Sequence, residues 1–245
     1  MRKGLRQKMN FEILTLFPEM LAPFFELSII GKAAEKGLVT VNLTDIRGYT
    51  LDKHRKVDDT PYGGGYGMVM ACQPAVDCIR AVKSRLKGTV RTVYMSPQGK
   101  VLTHEKAKEL SWYDNLIIFC GHYEGVDERV IELEIDEEIS IGDYVLTGGE
   151  LPAAVLTDCV CRFIDGVLPC SECYEDESIA SGMLEYPQYT KPRVYEGLEV
   201  PEVLISGHHA NIVKWKREKS LERTAAKRPD LLAKVEENAK RENES

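Results

Sequence analysis

The chain has 245 residues, 43% of them hydrophobic, enough to fill the core of one large domain or two modest ones. Its longest apolar stretches, near Leu116–Cys120 and Ala153–Leu156, fall far short of the roughly 20 residues of a bilayer span, and Pro18 and Glu19 interrupt the apolar run after the basic start Met1–Lys8, which argues against a signal peptide. A net charge of −7 looks unsuited to a nucleic-acid partner, yet a patch, not the total, binds phosphate.

Phe11–Phe17 and Val39–Asp45 alternate apolar and polar residues as strands do. Pro23–Lys36 between them has helical spacing, with Gly37 as its stop. Arg55 and Lys56 then lead into Asp58–Gly67, a stretch too glycine-rich to hold one shape alone. Val90–Met95 and Asn115–Cys120 repeat the strand pattern around a helical Thr103–Leu110. The alternation predicts an α/β fold: a mostly parallel sheet with helices on both faces and a ligand at the carboxyl ends of the strands.

Three polar, glycine-bearing turns sit at those ends: Ser96–Gly99, Cys120–Gly125 and Ile141–Gly149. Residues without a Cβ let main chain approach a ligand closely, so the turns predict one pocket lined by amide and carbonyl groups; the plainer alternative is tight-turn geometry alone. None has the order of a phosphate cradle or a dinucleotide fingerprint, which disfavours a pyrophosphate. An uncharged heterocycle with a compact polar tail, such as an adenosine carrying an amino acid, suits these loops better.

Glu132, Glu134, Asp136, Glu137, Glu138, Asp143 and Glu150 form an acidic stretch without Lys or Arg. A helix follows from Glu150 to Ile164, with Leu151, Ala154, Val155 and Cys159 as its expected buried stripe and Glu150 at the positive end of its dipole. Gly166–Glu185 reads as a polar, acidic connector. Pro187–Pro201 is extended and proline-marked, and Asn211–Lys219 and Pro229–Lys240 are helical, a small second domain. Asn211–Arg228 carries seven bases against two acids. Seven scattered cysteines make no disulfide framework. Cys170-x-x-Cys173 after Cys159-x-Cys161 invites a zinc reading, but Cys159 and Cys161 point to different faces of one helix, and ordinary thiols are preferred.

Asp59–Gly65, Ser96–Gly99, Cys120–Arg129, Ser140–Leu146, Leu184–Thr190 and Ser206–His209 occur in one order across the chain from Met9 onward. Together they resemble the bacterial tRNA (guanine-N1)-methyltransferases, knotted S-adenosylmethionine enzymes of the SPOUT class. The resemblance implies a trefoil knot over Val90–Phe163, which no periodicity foretells, and a cofactor bent between the three loops. It implies cofactor contacts from Pro97, Gly121, Tyr123, Glu124, Ile141, Gly142, Tyr144, Leu146, Gly148, Gly149 and Pro152, with the Ile141–Leu146 main chain meeting adenine and Glu124 the ribose or amino group. His122 is expected to be neither ligand nor base. Domains are expected at 1–8 (a leader or upstream start), 9–168 (knotted and catalytic), 169–185 (linker) and 186–245 (small, mainly helical, tRNA-binding).

The implied reaction moves a methyl group to N1 of the guanosine immediately 3′ of the anticodon, with Glu177 as proton acceptor and Arg162 as its partner. The family's Asp-Ser is Glu177-Ser178 here, with Asp176 just before; the extra methylene moves the carboxylate by about 1.5 Å, and the alternative is that these are solvated connector charges. RNA contacts are expected from Arg55, Lys56, Gly63 and Gly64, and from His208, Asn211, Lys214, Lys216 and Arg217 on the anticodon arm. A cytoplasmic homodimer with its site at the subunit interface is implied, and magnesium as a requirement with no ligand residues identifiable. The rivals are another SPOUT-class RNA methyltransferase, acting on a ribose 2′-hydroxyl or an rRNA base, and a non-catalytic RNA-binding protein.

Overall fold

The computed structural model describes residues 8–169, 178–180 and 182–233. The chain divides into two compact units, Met1–Cys170 and Ser171–Ser245. In the first, strands β1 (Met9–Thr15), β2 (Val39–Asp45), β5 (Val90–Val101), β6 (Asn115–Cys120) and β7 (Glu137–Ser140) form one sheet in the order β2-β1-β6-β5-β7. Every neighbouring pair in it is parallel. Two short strands, β3 (Asp58–Asp59) and β4 (Val69–Met70), pair antiparallel beside it.

Side chains on a strand alternate between faces, and in this sheet both faces are buried. Leu116, Ile118 and Cys120 of β6 join one core cluster, and Ile117 and Phe119 the other. Helices α1 (Pro18–Glu26), α2 (Ser28–Glu35), α4 (His104–Leu110) and α6 (Glu150–Cys161) supply the first cluster. Helices α3 (Cys72–Arg85) and α5 (Glu128–Glu134), with a 3₁₀ turn at Ile46–Tyr49, supply the second. The α/β architecture with a parallel sheet and helices on both faces is the one the alternation predicted.

Several elements differ from expectation. The helix expected over Pro23–Lys36 is two, α1 and α2, because Leu27 is extended (φ −113°, ψ 168°) and Ser28 has φ 59°. Gly31 permits the break to close up, since a Cβ there would lie 2.3 Å from the Glu26 carbonyl oxygen. Thr103 does not enter α4 but caps it, its hydroxyl accepting from Lys106 N at 3.2 Å. Helices α3 and α5 had not been anticipated, whereas β7 is the strand expected before the third glycine turn.

The largest correction concerns α6. Leu151 and Val155 are 53% and 42% exposed, while Ala153, Leu156, Thr157 and Val160 are fully buried beside the largely buried Ala154. Its apolar residues surround most of the helix, so composition alone could not say which stripe meets the sheet.

In the second unit, the expected extended stretch contains a hairpin of β8 (Val194–Tyr195) and β9 (Leu198–Glu199). Its turn residues Glu196 and Gly197 both have positive φ (51° and 83°), the geometry that keeps a two-residue hairpin in twist with its strands. Helices α7 (Glu202–Ile205) and α8 (His209–Lys227) follow, α8 being longer at both ends than expected, and residues 229–233 are again helical. The Thr224 hydroxyl accepts from Leu184 N at 2.9 Å, tying α8 to the segment before it. Cys170, Cys173, Asp176 and Glu177 lie outside the described residues.

Candidate active site

The three glycine turns converge. Ser96–Gly99 is an excursion inside β5: Met95 and Lys100 both pair with Ile139, so four residues bulge from the edge between them. Ser96 Oγ accepts from Gln98 N at 3.1 Å and shapes the bend. Gly99 rests on the neighbouring main chain so tightly that a Cβ would stand 2.4 Å from the Glu138 carbonyl carbon.

The second turn leaves β6 at Cys120. Gly125 N donates to His122 O (3.2 Å), Glu124 N to Met68 O (3.0 Å), and Met70 N to Gly125 O (2.9 Å), which binds the turn to the β3–β4 region. The third leaves β7, where Ser140 Oγ accepts from Gly142 N at 3.1 Å. It returns to the second through Gly149 N, which donates to Gly121 O at 2.8 Å, and through an antiparallel bridge between His122 and Gly148.

One pocket lies between the turns, and all eleven residues expected to touch a cofactor line it: Pro97, Gly121, Tyr123, Glu124, Ile141, Gly142, Tyr144, Leu146, Gly148, Gly149 and Pro152. Tyr94, Gln98, Glu128, Ile131 and Glu138 also line it and had not been singled out. Glu128 opens α5, a helix that no sequence pattern announced, and Glu138 sits in β7, the strand that leads into the third turn. Among the lining residues Glu124, Glu128 and Glu138 are acidic and none is Lys or Arg. A wall with that balance repels phosphate and attracts a cation. Burial, and then Glu138 and Glu128, push the Tyr94 hydroxyl up to about 12, so it stays a neutral donor. Burial likewise drives the thiol of Cys120, the last residue of β6, well up, with Glu150 adding to it, so that sulfur is no nucleophile.

His122 also lines the pocket, its ring 5.0 Å from both Phe17 and Tyr123. An apolar groove adjoins the pocket, sharing His122, Leu146 and Gly148 with it and adding Phe17, Met20 and Leu151.

Arg162 ends α6, the helix that begins beside the pocket, and is not among the lining residues. Ten residues separate it from Pro152, about 15 Å along a helix axis. Arg55, Lys56, Gly63 and Gly64 occupy the exposed segment around β3. Arg55 faces Asp45 at 3.6 Å, and Lys56 N donates to the Asp52 carboxylate at 3.2 Å. In the second unit, His208 precedes α8, and Asn211, Lys214 and Arg217 lie exposed on it. Lys216 sits 4.5 Å over the Tyr186 ring and Lys214 is 3.9 Å from Glu218. Among the described residues no three His, Cys, Asp or Glu side chains gather as a metal site would need.

The family model described as tRNA (Guanine-1)-methyltransferase TrmD matches residues 9–234. A relative from Ruminiclostridium cellulolyticum, named tRNA (guanine-N(1)-)-methyltransferase, is 60% identical over 227 residues, 93% of this chain and 97% of its own. One of the same name from Clostridium botulinum (strain Kyoto / Type A2) is 57% identical over 226 residues, 92% of each chain. Another from Clostridium acetobutylicum is 54% identical over 229 residues, 94% of this chain and 93% of its own.

Proposed function

This chain belongs to the tRNA (guanine-1)-methyltransferase family, and from that membership we propose that it methylates N1 of the guanosine immediately 3′ of the tRNA anticodon, with S-adenosylmethionine as donor. The observation that carries the donor assignment is the pocket's composition: main-chain groups of three turns, three carboxylates and no cationic side chain. S-adenosylmethionine, when bound, supplies a methyl group on a positively charged sulfur. The acidic wall favours that charge, and the turns offer the amides and carbonyls that fit an adenosine.

Guanine N1 carries a proton that must leave, and Glu177 is assigned as the carboxylate that takes it. Arg162 is assigned to face O6, where negative charge grows as the proton departs. The target base turns out of its stack to reach the pocket, at a cost of a few kcal/mol. In this reading α8, with Asn211, Lys214, Lys216 and Arg217 following His208, holds the anticodon arm, and the segment carrying Arg55, Lys56, Gly63 and Gly64 meets RNA beside the pocket. The first unit is the catalytic one, with a trefoil knot over Val90–Phe163.

The functional species in this reading is a cytoplasmic homodimer. Its support is the apolar surface of Phe17 (36% exposed), Met20 (54%) and Leu151, which line the groove adjoining the pocket, with the exposed Val155 one turn further along α6. The placement of Arg162 a helix length from Pro152 fits a site completed by a second subunit. No helix among the described residues is long and apolar enough to cross a membrane. Magnesium belongs to the reading without assigned side chains.

The test is transfer of labelled methyl from S-adenosylmethionine to an unmodified tRNA transcript. Label is expected at N1 of that guanosine and absent when adenosine replaces it. Undiminished labelling of the adenosine transcript would show a different acceptor.

A further inference from the structure

The donor reading leaves His122 without a role, although the structure gives it an unusual setting. Its Nδ1 is buried and has no hydrogen-bond partner, an expensive state for a polar nitrogen. Across from it stands Glu150, only 3% exposed. The point where a Gly148 Cβ would stand is 2.8 Å from His122 Nδ1 and 2.3 Å from Glu150 Oε2. Imidazole and carboxylate thus look onto one small gap that only a glycine leaves open.

Glu150 is held in place from its other side. The Thr15 hydroxyl donates to Glu150 Oε1 at 2.7 Å and accepts from Phe17 N at 2.9 Å. The Phe17 ring is the one packed against His122, and its own face carries the Arg47 guanidinium at 5.2 Å. The groups therefore close a circuit that joins the end of β1, the second turn, the third turn and the start of α6. All of its connections are made except the one between His122 and Glu150.

Resting on the donor assignment above, we propose that His122 is a positioning residue: its Nδ1–H donates to the Glu150 carboxylate when the donor fills the pocket, fastening the second turn to the third. The main chains of these turns are already joined by Gly149 N to Gly121 O. The side-chain bond closes the same seam from below and fixes Tyr123 and Glu124, which follow His122 into the pocket wall. His122 acts through these loops and touches none of the reacting atoms.

Calorimetric titration of the full chain with S-adenosylmethionine alone, for wild type, His122→Ala, His122→Asn, Glu150→Gln and the His122→Ala/Glu150→Gln pair, tests this. A charge-assisted hydrogen bond lost at this seam is expected to weaken donor binding about ten-fold in each of His122→Ala and Glu150→Gln. His122→Asn places an amide nitrogen near the Nδ1 position and is expected to recover binding to within about three-fold of wild type. The double variant is expected to bind no more weakly than the poorer single one. Glu150→Gln conserves shape and reports on the bond even if His122→Ala unfolds. The proposal is overturned if His122→Ala binds as wild type, if His122→Asn is as poor as His122→Ala, or if the two losses multiply in the double variant. No uptake by the wild-type chain would instead overturn the donor assignment, and this inference with it.

Discussion

Replacing Gly99 by alanine asks whether the first turn is built by close main-chain contact. An added Cβ would lie 2.4 Å from the Glu138 carbonyl carbon, 2.5 Å from Ile139 N and 2.6 Å from Glu138 O. These atoms belong to a strand paired within the central sheet and cannot swing aside as a side-chain tip would. The Ser96–Gly99 excursion must lift by several tenths of an ångström or more, and Pro97 lifts with it. Overpacking of this kind costs about 1–3 kcal/mol, which in a domain of this size lowers Tm by roughly 2–4 °C per kcal/mol. Thermal unfolding of Gly99→Ala is therefore expected roughly 2–12 °C below wild type, with affinity for S-adenosylmethionine reduced about ten-fold or more by calorimetry. Gly48→Ala is the control: a Cβ there meets nothing within 4 Å, and its φ is not left-handed. It is expected to be neutral or stabilising by about 0.4–1 kcal/mol. Wild-type Tm and affinity in Gly99→Ala would refute the reasoning.

If the acidic wall selects a cationic donor, Glu128→Gln and Glu138→Gln should each weaken binding of S-adenosylmethionine by roughly three- to ten-fold. They should affect the uncharged thioether product much less, a difference that parallel titrations measure; equal losses for both ligands would contradict the electrostatic reading. If the proposed homodimer forms through the α6 surface, Leu151→Glu and Val155→Glu should yield monomers in sedimentation experiments without loss of the fold, whereas Leu156→Ala, at a fully buried position on the same helix, should destabilise by about 2–5 kcal/mol. Burial alone would raise the Glu137 carboxyl, but the Arg91 hydrogen bond (2.9 Å) and Lys106 at 3.1 Å outweigh it and hold it below the ordinary 4.5. Its stabilising contribution is then complete above pH 4.5 and lost as pH falls through the lowered folded-state value. The Tm gap between wild type and Glu137→Gln should close on that acid side, and a gap independent of pH would contradict the assignment.

What was legible in the sequence follows from how many faces each element buries. Strand β6 is short, apolar from Leu116 to Cys120 and bounded by a glycine turn, so its strand character was legible, and its burial on both faces follows from its place in the middle of the parallel sheet. The pocket turns were legible because glycine clusters after strands have a local cause. The buried stripe of α6 was not, since Leu151, Ala153, Leu156 and Val160 are equally apolar and only the sheet decides among them. The break between α1 and α2 was hidden because Leu27 and Ser28 carry no mark of their unusual backbone. Glu138 was legible only as part of an acidic stretch and Glu128 only as part of the Cys120–Arg129 block, because their shared position in the pocket arises from topology, which brings α5 and β7 together there.

In the proposed reading the pocket meets its ligand largely with peptide groups of the three turns, and this bears on how the site can change over time. A compound that engages only those groups presents few targets for escape by substitution, since altering a peripheral side chain leaves its contacts intact. The positions that could dislodge it are glycines such as Gly99 and Gly149, and a Cβ at Gly149 would stand 2.7 Å from the Cys120 Cα. Resistance acquired there would, if the donor binds as proposed, damage donor binding along with the inhibitor's.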